Sequence, residues 1–130
     1  GYNIDDDLIA EGDYSERAGY YATRRLLPQK IDALFAANDE MAIGAIRAIQ
    51  EEGLSVPKDI AIVGFDDIES SSLVNPPLTT IRQPLRTFGL KLIELLSDQI
   101  EHPEKTQRKI ILETELVIRQ SCGETMREIS

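Results

Sequence analysis

Three observations predict an α/β fold with a parallel sheet for this sequence. The short apolar run Ala33-Leu34-Phe35-Ala36 is too brief for a helix and is punctuated by Asn38-Asp39. Apolar residues then recur at helical spacing through Met41, Ile43, Ile46 and Ile49. Finally, Ile60-Ala61-Ile62-Val63-Gly64-Phe65 is an unbroken apolar run of the kind expected of a strand buried on both faces. Together they spell a strand, helix, strand crossover. Its second strand delivers Asp66 and Asp67 to the carboxyl end, where ligands of open α/β sheets sit.

Each element has a local cause. Leu8-Ile9-Ala10 reads as a weak first strand, broken by Glu11-Gly12-Asp13. Ala18, Tyr21, Ala22 and Leu26 then place a helix over Tyr14 to Leu27, capped by Asp13 or Ser15 and ended at Pro28. In the crossover helix Asn38 is positioned to cap the free amides, Asp39 and Glu40 complement the positive end of the dipole, and Gly53 stops the helix before Val56-Pro57. The order so far is βαβαβ.

Downstream, Ser70-Ser71-Ser72 reads as polar and flexible, Asn75-Pro76-Pro77 as extended, and Leu78 to Ile81 as a short strand. Leu85, Phe88, Leu92, Leu95 and Leu96 share one face of a helix from about Pro84 to Glu101, closed by His102-Pro103. Lys109 to Leu112 and Glu115 to Ile118 read as two more strands, or as one broken by a bend. His102 is placed to cap the carbonyl end of that helix.

Composition narrows the function. With 42% apolar residues in 130, the chain builds one modest core. Its 23 acidic against 14 basic residues give a net charge of -9, which repels the phosphate backbone of nucleic acid. No basic stripe or helix-turn-helix pattern is visible, so DNA binding belongs to another part of the protein. A single cysteine, Cys122, excludes an internal disulfide or a cysteine metal cluster and reads as a reduced thiol. No apolar stretch approaches the ~20 residues of a membrane helix. The chain starts at Gly1 in mid-pattern, as expected of a piece of a longer protein.

The stretches AANDEMAIGAIRAIQEEGLSVPKDIAIVGFDD, NPPLTTIRQPLRTFG, EGDYSERAGYYA and LETELVIRQSC resemble the effector-binding core of the LacI/GalR family of bacterial transcriptional repressors, whose relatives include the periplasmic sugar-binding proteins. The resemblance covers Asp7 to about Cys122 and implies a periplasmic-binding-protein-like type I fold of two lobes, crossed three times by the chain. It places residues 1–78 in the C-terminal lobe, 79–107 in the N-terminal lobe and 108–122 in returning strands, with 123–130 as a polar tail. Most of one lobe is then absent, so the helix from Pro84 to Glu101 needs another partner for its apolar face, in this chain or on a second copy.

The resemblance further implies a cytoplasmic homodimer that senses a small effector, a sugar or a purine, and meets operator DNA only through a separate head. No cofactor, metal, membrane or catalytic step is implied. Asp66, the first acid of the motif, matches the effector contact; as a carboxylate it accepts paired hydrogen bonds from sugar hydroxyls or a purine edge. Asp67 takes the capping role. Tyr14 and Asn38 match further effector positions, with a core anchor and a helix cap as their structural alternatives. Ile43, Arg47, Ser70, Leu73 and Val74 match the dimer interface, against core packing for Ile43 and a solvated surface for Arg47. With one wall of the cleft absent, ligand binding by the chain alone is expected to be weak.

Two other readings remain. A periplasmic sugar-binding protein feeding a transporter shares the fold. A flavodoxin-like enzyme or phosphoacceptor would use Asp66 and Asp67, with Asp39, around magnesium.

Overall fold

The helix expected after Asn38 is the centre of the molecule. A computed structural model describes residues 5–106 and 108–124. In it, α2 (Asp39–Glu51) begins at an extended Asn38 whose side chain accepts from the Met41 amide, 2.9 Å. It ends before Gly53, which takes φ +76°, a conformation that suits a residue without Cβ. Seven α2 residues from Met41 to Ile49 are buried, too many for a single apolar stripe. The helix is covered on two sides, by α1 (Glu16–Leu26) and by the sheet.

The α1–α2 crossing is close enough to require glycine. A Cβ on Gly19 would collide with the Met41 backbone, and one on Gly44 with the Glu16 carbonyl. Both predicted caps of α1 take part in its start. Ser15 Oγ accepts from the Ala18 amide at 3.1 Å, and the Asp13 carboxylate accepts from the Ser15 hydroxyl at 2.6 Å. These bonds hold the Asp13 carboxyl below its ordinary value.

Strand β1 (Ala33–Phe35) pairs in parallel with β2 (Ala61–Val63), Leu34 opposite Ile62, and α2 makes the crossover. Beyond β2 the Gly64 and Asp66 amides donate to the Thr79 and Ile81 carbonyls, each at 2.9 Å, so the chain into β3 (Thr80–Arg82) runs parallel to it. β3 then pairs antiparallel with β4 (Glu115–Val117). Ile46, Ile49, Ile62 and Leu78 are fully buried between helix and sheet, each contributing roughly 1.5–3 kcal/mol relative to exposure. Past β4, Ser121 returns to this core, accepting from the Thr79 amide at 2.8 Å and donating to the Ile62 carbonyl at 2.7 Å.

Four local expectations are corrected. Leu8-Ile9-Ala10 is not a strand: Asp6–Leu8 is a 3-10 turn capped by Asp5, and the three residues face Leu34 and Phe35 across a cavity of about 260 Å³ instead of pairing with the open edge of β1. Tyr14 stands outside α1, because its φ of +68° is not helical. Ser70-Ser71-Ser72 is ordered within α3 (Glu69–Leu73), since Ser71 is buried against Asp39. Lys109 to Leu112 forms no ladder, and only the stretch from Glu115 pairs with β3.

Helix α4 (Leu85–Glu101) lies where it was predicted and buries none of its residues. Leu85, Phe88, Leu92 and Leu96 are all exposed, and a cleft of about 210 Å³ separates Phe88, Leu92 and Leu95 from Ile110 and Leu112. The His102 amide, donating to the Asp98 carbonyl at 2.9 Å, closes the helix, while the ring turns toward Glu104 at 3.7 Å. The cap is therefore made by main chain and not by imidazole.

Candidate functional site

The carboxyl ends of β1, β2 and β3 come together on one edge of the sheet. Asn38 follows β1, Asp66 and Asp67 follow β2, and Gln83 follows β3. The Asp39 amide donates to the Phe65 carbonyl at 2.9 Å, which sets the Asn38 turn beside the acid pair.

Asp66 is half-buried in a left-handed conformation, φ +113°. Its Oδ1 accepts from Gln83 Nε2 at 2.7 Å, while Oδ2 has no hydrogen-bond partner among the described residues. A carboxylate offers about four acceptor positions, so Asp66 keeps capacity for hydroxyl donors.

Asp67 differs in every respect that matters for binding. Its side chain is 8% exposed, with Oδ1 at 2.6 Å from Arg119 Nη2 and Oδ2 at 2.6 Å from Arg82 Nε. Burial alone would push its carboxyl up, but the hydrogen bonds and charges of the two guanidiniums outweigh it and hold the group below its ordinary value. The capping role expected for Asp67 is thus replaced by a double ion pair. Arg119 is anchored further by Nη1 on the Leu78 carbonyl, 2.8 Å.

Asn38 uses both ends of its amide inside the fold. Oδ1 caps α2, and Nδ2 donates to the Tyr14 carbonyl at 2.8 Å. This favours the structural role for Asn38 and explains how the left-handed Tyr14 is held. The Tyr14 ring is 65% exposed, so it is no core anchor. It stays available as a stacking surface.

Sequence reasoning missed the most heavily bonded acid of the region. Asp39 is fully buried: Oδ1 accepts from Thr80 Oγ1 at 2.5 Å, and Oδ2 from Ser71 Oγ at 2.5 Å and the Ile68 amide at 3.0 Å. It ties α2, α3 and β3 together, and a Cβ on Gly64 would collide with its Oδ1. Arg82, Gln83 and Arg119 were missed too, although the triplet Ile-Arg-Gln recurs at residues 81–83 and 118–120.

The magnesium reading loses its donors here. Two guanidiniums occupy Asp67, hydroxyls and an amide occupy Asp39, and among the described residues no group of three acidic, His or Cys side chains is arranged around a metal position.

The interface candidates fall on two neighbouring elements. Ile43 and Arg47 lie on α2, Ser70 and Leu73 on α3, with Val74 just after it; Gln50 Nε2, donating to the Asn75 carbonyl at 2.9 Å, joins the two. Leu73 is 77% exposed, whereas Val74 packs partly against the core. Arg47 is exposed but engaged, 2.9 Å from Glu16 and stacked 4.7 Å over the Tyr20 ring.

Residues 1–122 match the periplasmic binding protein-like domain. The HTH-type transcriptional regulator MalR of Clostridium butyricum is 43% identical over 92% of this chain and 36% of its own length. The ribose operon repressor of Escherichia coli K12 is 41% identical over 94% of this chain and 38% of its own. Among solved structures, a complex of the transcriptional regulator CelR with cellobiose superposes with a TM-score of 0.84 at 37% identity, covering 92% of this chain and 37% of that one. A lac repressor dimer bound to operator and the anti-inducer ONPF gives 0.77 at 41% identity, covering 86% and 34%.

The chain belongs to the periplasmic binding protein-like domain family, and within it to the LacI/GalR type. It spans between about a third and two-fifths of the length of these relatives.

Proposed function

We propose that this chain is the effector-binding and dimerising part of a cytoplasmic LacI/GalR-type transcriptional repressor. It senses a sugar and governs DNA binding by a head outside these 130 residues. The observation that carries the reading is Asp66, a carboxylate at a strand's carboxyl end with one oxygen held by Gln83 and the other open to hydroxyl donors. Tyr14 offers a ring for the apolar face of the sugar, and Asn38 sets its backbone. Residues 1–78 and 108–122 are assigned to one lobe and 79–107 to the other; the absence of any buried residue in α4 supports the second assignment from Leu85 onward, whereas β3 stays hydrogen-bonded to β2 and β4 of the first lobe. Ile43, Arg47, Ser70, Leu73 and Val74 form the homodimer surface.

Relatives support the ligand class: one solved relative holds cellobiose and another, at 37% identity, holds ribose. That the named relatives are operon repressors and HTH-type regulators favours this reading over a transporter's binding protein.

With one wall of the cleft present, binding is expected to be weaker than about 1 mM, or ~4 kcal/mol. Amide NMR shifts during titration with cellobiose and ribose are the test. Movement confined to Tyr14, Asn38, Asp66 and Gln83, and lost in Asp66→Asn, is expected. Unmoved Asp66 and Gln83 at saturating sugar would reject the site, and tight binding by calorimetry would reject the half-cleft.

A further inference from the structure

We propose that Asp67 is a positioning residue for Asp66: gripped by Arg82 and Arg119, it sets the direction in which the neighbouring carboxylate points. This rests on the reading of Asp66 as the effector contact.

Asp66 and Asp67 stand at φ +113° and +55°, consecutive left-handed positions occupied by side chains other than glycine. Such a pair persists only where its surroundings over-determine it. The backbone supplies part of that constraint, through the Asp66 amide on the Ile81 carbonyl at 2.9 Å and the Asp67 amide on Thr80 Oγ1 at 3.3 Å. The side chain of Asp67 supplies the rest. Its two oxygens reach two arginines on different segments, Arg82 in β3 and Arg119 just after β4, so the turn is fastened to both strands of the antiparallel ribbon.

Each arginine has a second hold, Arg82 on Glu115 at 3.4 Å and Arg119 on the Leu78 carbonyl at 2.8 Å. With both oxygens engaged and 8% of its side chain exposed, Asp67 has nothing to offer a ligand. Its neighbour has. If the clamp is opened, the turn relaxes toward ordinary backbone angles and Asp66 swings away from Gln83. The two acids of the motif thus divide the work: Asp66 meets the ligand, and Asp67 aims it.

The test is made on the full 130-residue chain by NMR, first without ligand. In Asp67→Asn the Asp66 amide is expected to exchange with solvent about tenfold faster, and the Gln83 side-chain amide to shift toward its free position, while Ile46 and Ile49 amides keep their protection. Arg82→Gln leaves Arg119 on Asp67 and is expected to give a smaller change in the same direction. If Asp67→Asn loses core protection, Arg82→Gln supplies the reading. Asp66 and Gln83 signals that stay in place in whichever variant remains folded would overturn the proposal. In the folded variant the shift of Asp66 on adding ribose or cellobiose should also weaken at unchanged core protection. Failure of the sugar to move Asp66 in the parent chain rejects the effector reading instead, so the two failures are distinguishable.

Discussion

Removing the Asp39 carboxylate is expected to cost this fold more than removing any other acid. In Asp39→Ala three donors lose their acceptor: the buried Ser71 and Thr80 hydroxyls and the part-buried Ile68 amide. A hydrogen bond to a charged group contributes about 1.5–3 kcal/mol, so the gross loss is at least ~4.5 kcal/mol. Against this, the variant no longer buries an ionised group, which returns part of a desolvation cost of several kcal/mol. A net destabilisation of about 3 kcal/mol remains, because two of the stranded donors are buried hydroxyls. Urea unfolding followed by circular dichroism reads it. With m near ~2 kcal/mol/M the midpoint should fall by about 1.5 M. Ser71→Ala, which removes one donor and leaves the acid two, should fall by about a third as much. A midpoint within ~0.3 M of the parent for Asp39→Ala would refute the hub, whatever the geometry suggests.

Other outcomes follow from the same contacts. Because the folded Asp67 carboxyl is held below its unfolded value, its ion pairs stabilise the fold fully above the unfolded pKa of ~3.9, and that contribution is lost as pH falls through the lowered folded value. The stability gap between the parent and Asp67→Asn should therefore be flat from pH 5 to 7 and close below ~4; a gap that widens on acidification would contradict the assignment. Gly44→Ala should destabilise by roughly 2–3 kcal/mol, since its Cβ meets the α1 backbone. Gly89→Ala, in open space on α4, should stabilise by about 0.5–1 kcal/mol, and thermal melts giving both variants the same sign would count against the crossing. Leu73→Glu, at an exposed position, should leave the melting temperature unchanged and move sedimentation toward monomer, and an unaltered profile speaks against the α3 surface as a dimer contact.

Legibility in the sequence followed the range of the interaction. The α2 segment could be read because its cap, dipole residues and stop all lie within 16 residues of one another, from Asn38 to Gly53. The parallel pairing of β1 with β2 was legible from the crossover between them. Long-range polar contacts were not. Asp39 looked like a helix-dipole residue, and nothing local says that its partners lie 32 and 41 residues away. For the same reason the serine triplet looked flexible, although Ser71 is held by that acid. Asp66 and Asp67 could be told apart in advance only by rank in a motif. Their physical difference arises from Arg82 and Arg119, respectively 15 and 52 residues distant from Asp67. The strand assigned to Leu8-Ile9-Ala10 failed for the opposite reason: the Asp5 cap, a local contact, turns Asp6–Leu8 into a 3-10 turn and shortens the run that could pair.

The charge around the acid pair bears on what kind of molecule can bind. Asp66, Asp67 and Glu115 contribute three negative charges and Arg82 and Arg119 two positive ones, so the local sum is minus one (two minus three). Both positive charges, however, are already engaged, Arg119 by Asp67 and Arg82 by Asp67 and Glu115. An anionic ligand arriving at Asp66 would face an open carboxylate oxygen with no cation free to receive it, on a chain whose net charge is already -9. A divalent cation would find one available carboxylate and two guanidiniums nearby, an arrangement that repels it. A neutral ligand meets neither penalty, and one rich in hydroxyl groups satisfies the free acceptor of Asp66 directly. The Asp67 clamp therefore ties up both nearby guanidiniums and leaves one open acceptor on Asp66 in a slightly negative surrounding, an arrangement that favours a neutral, hydroxyl-rich ligand over a phosphate.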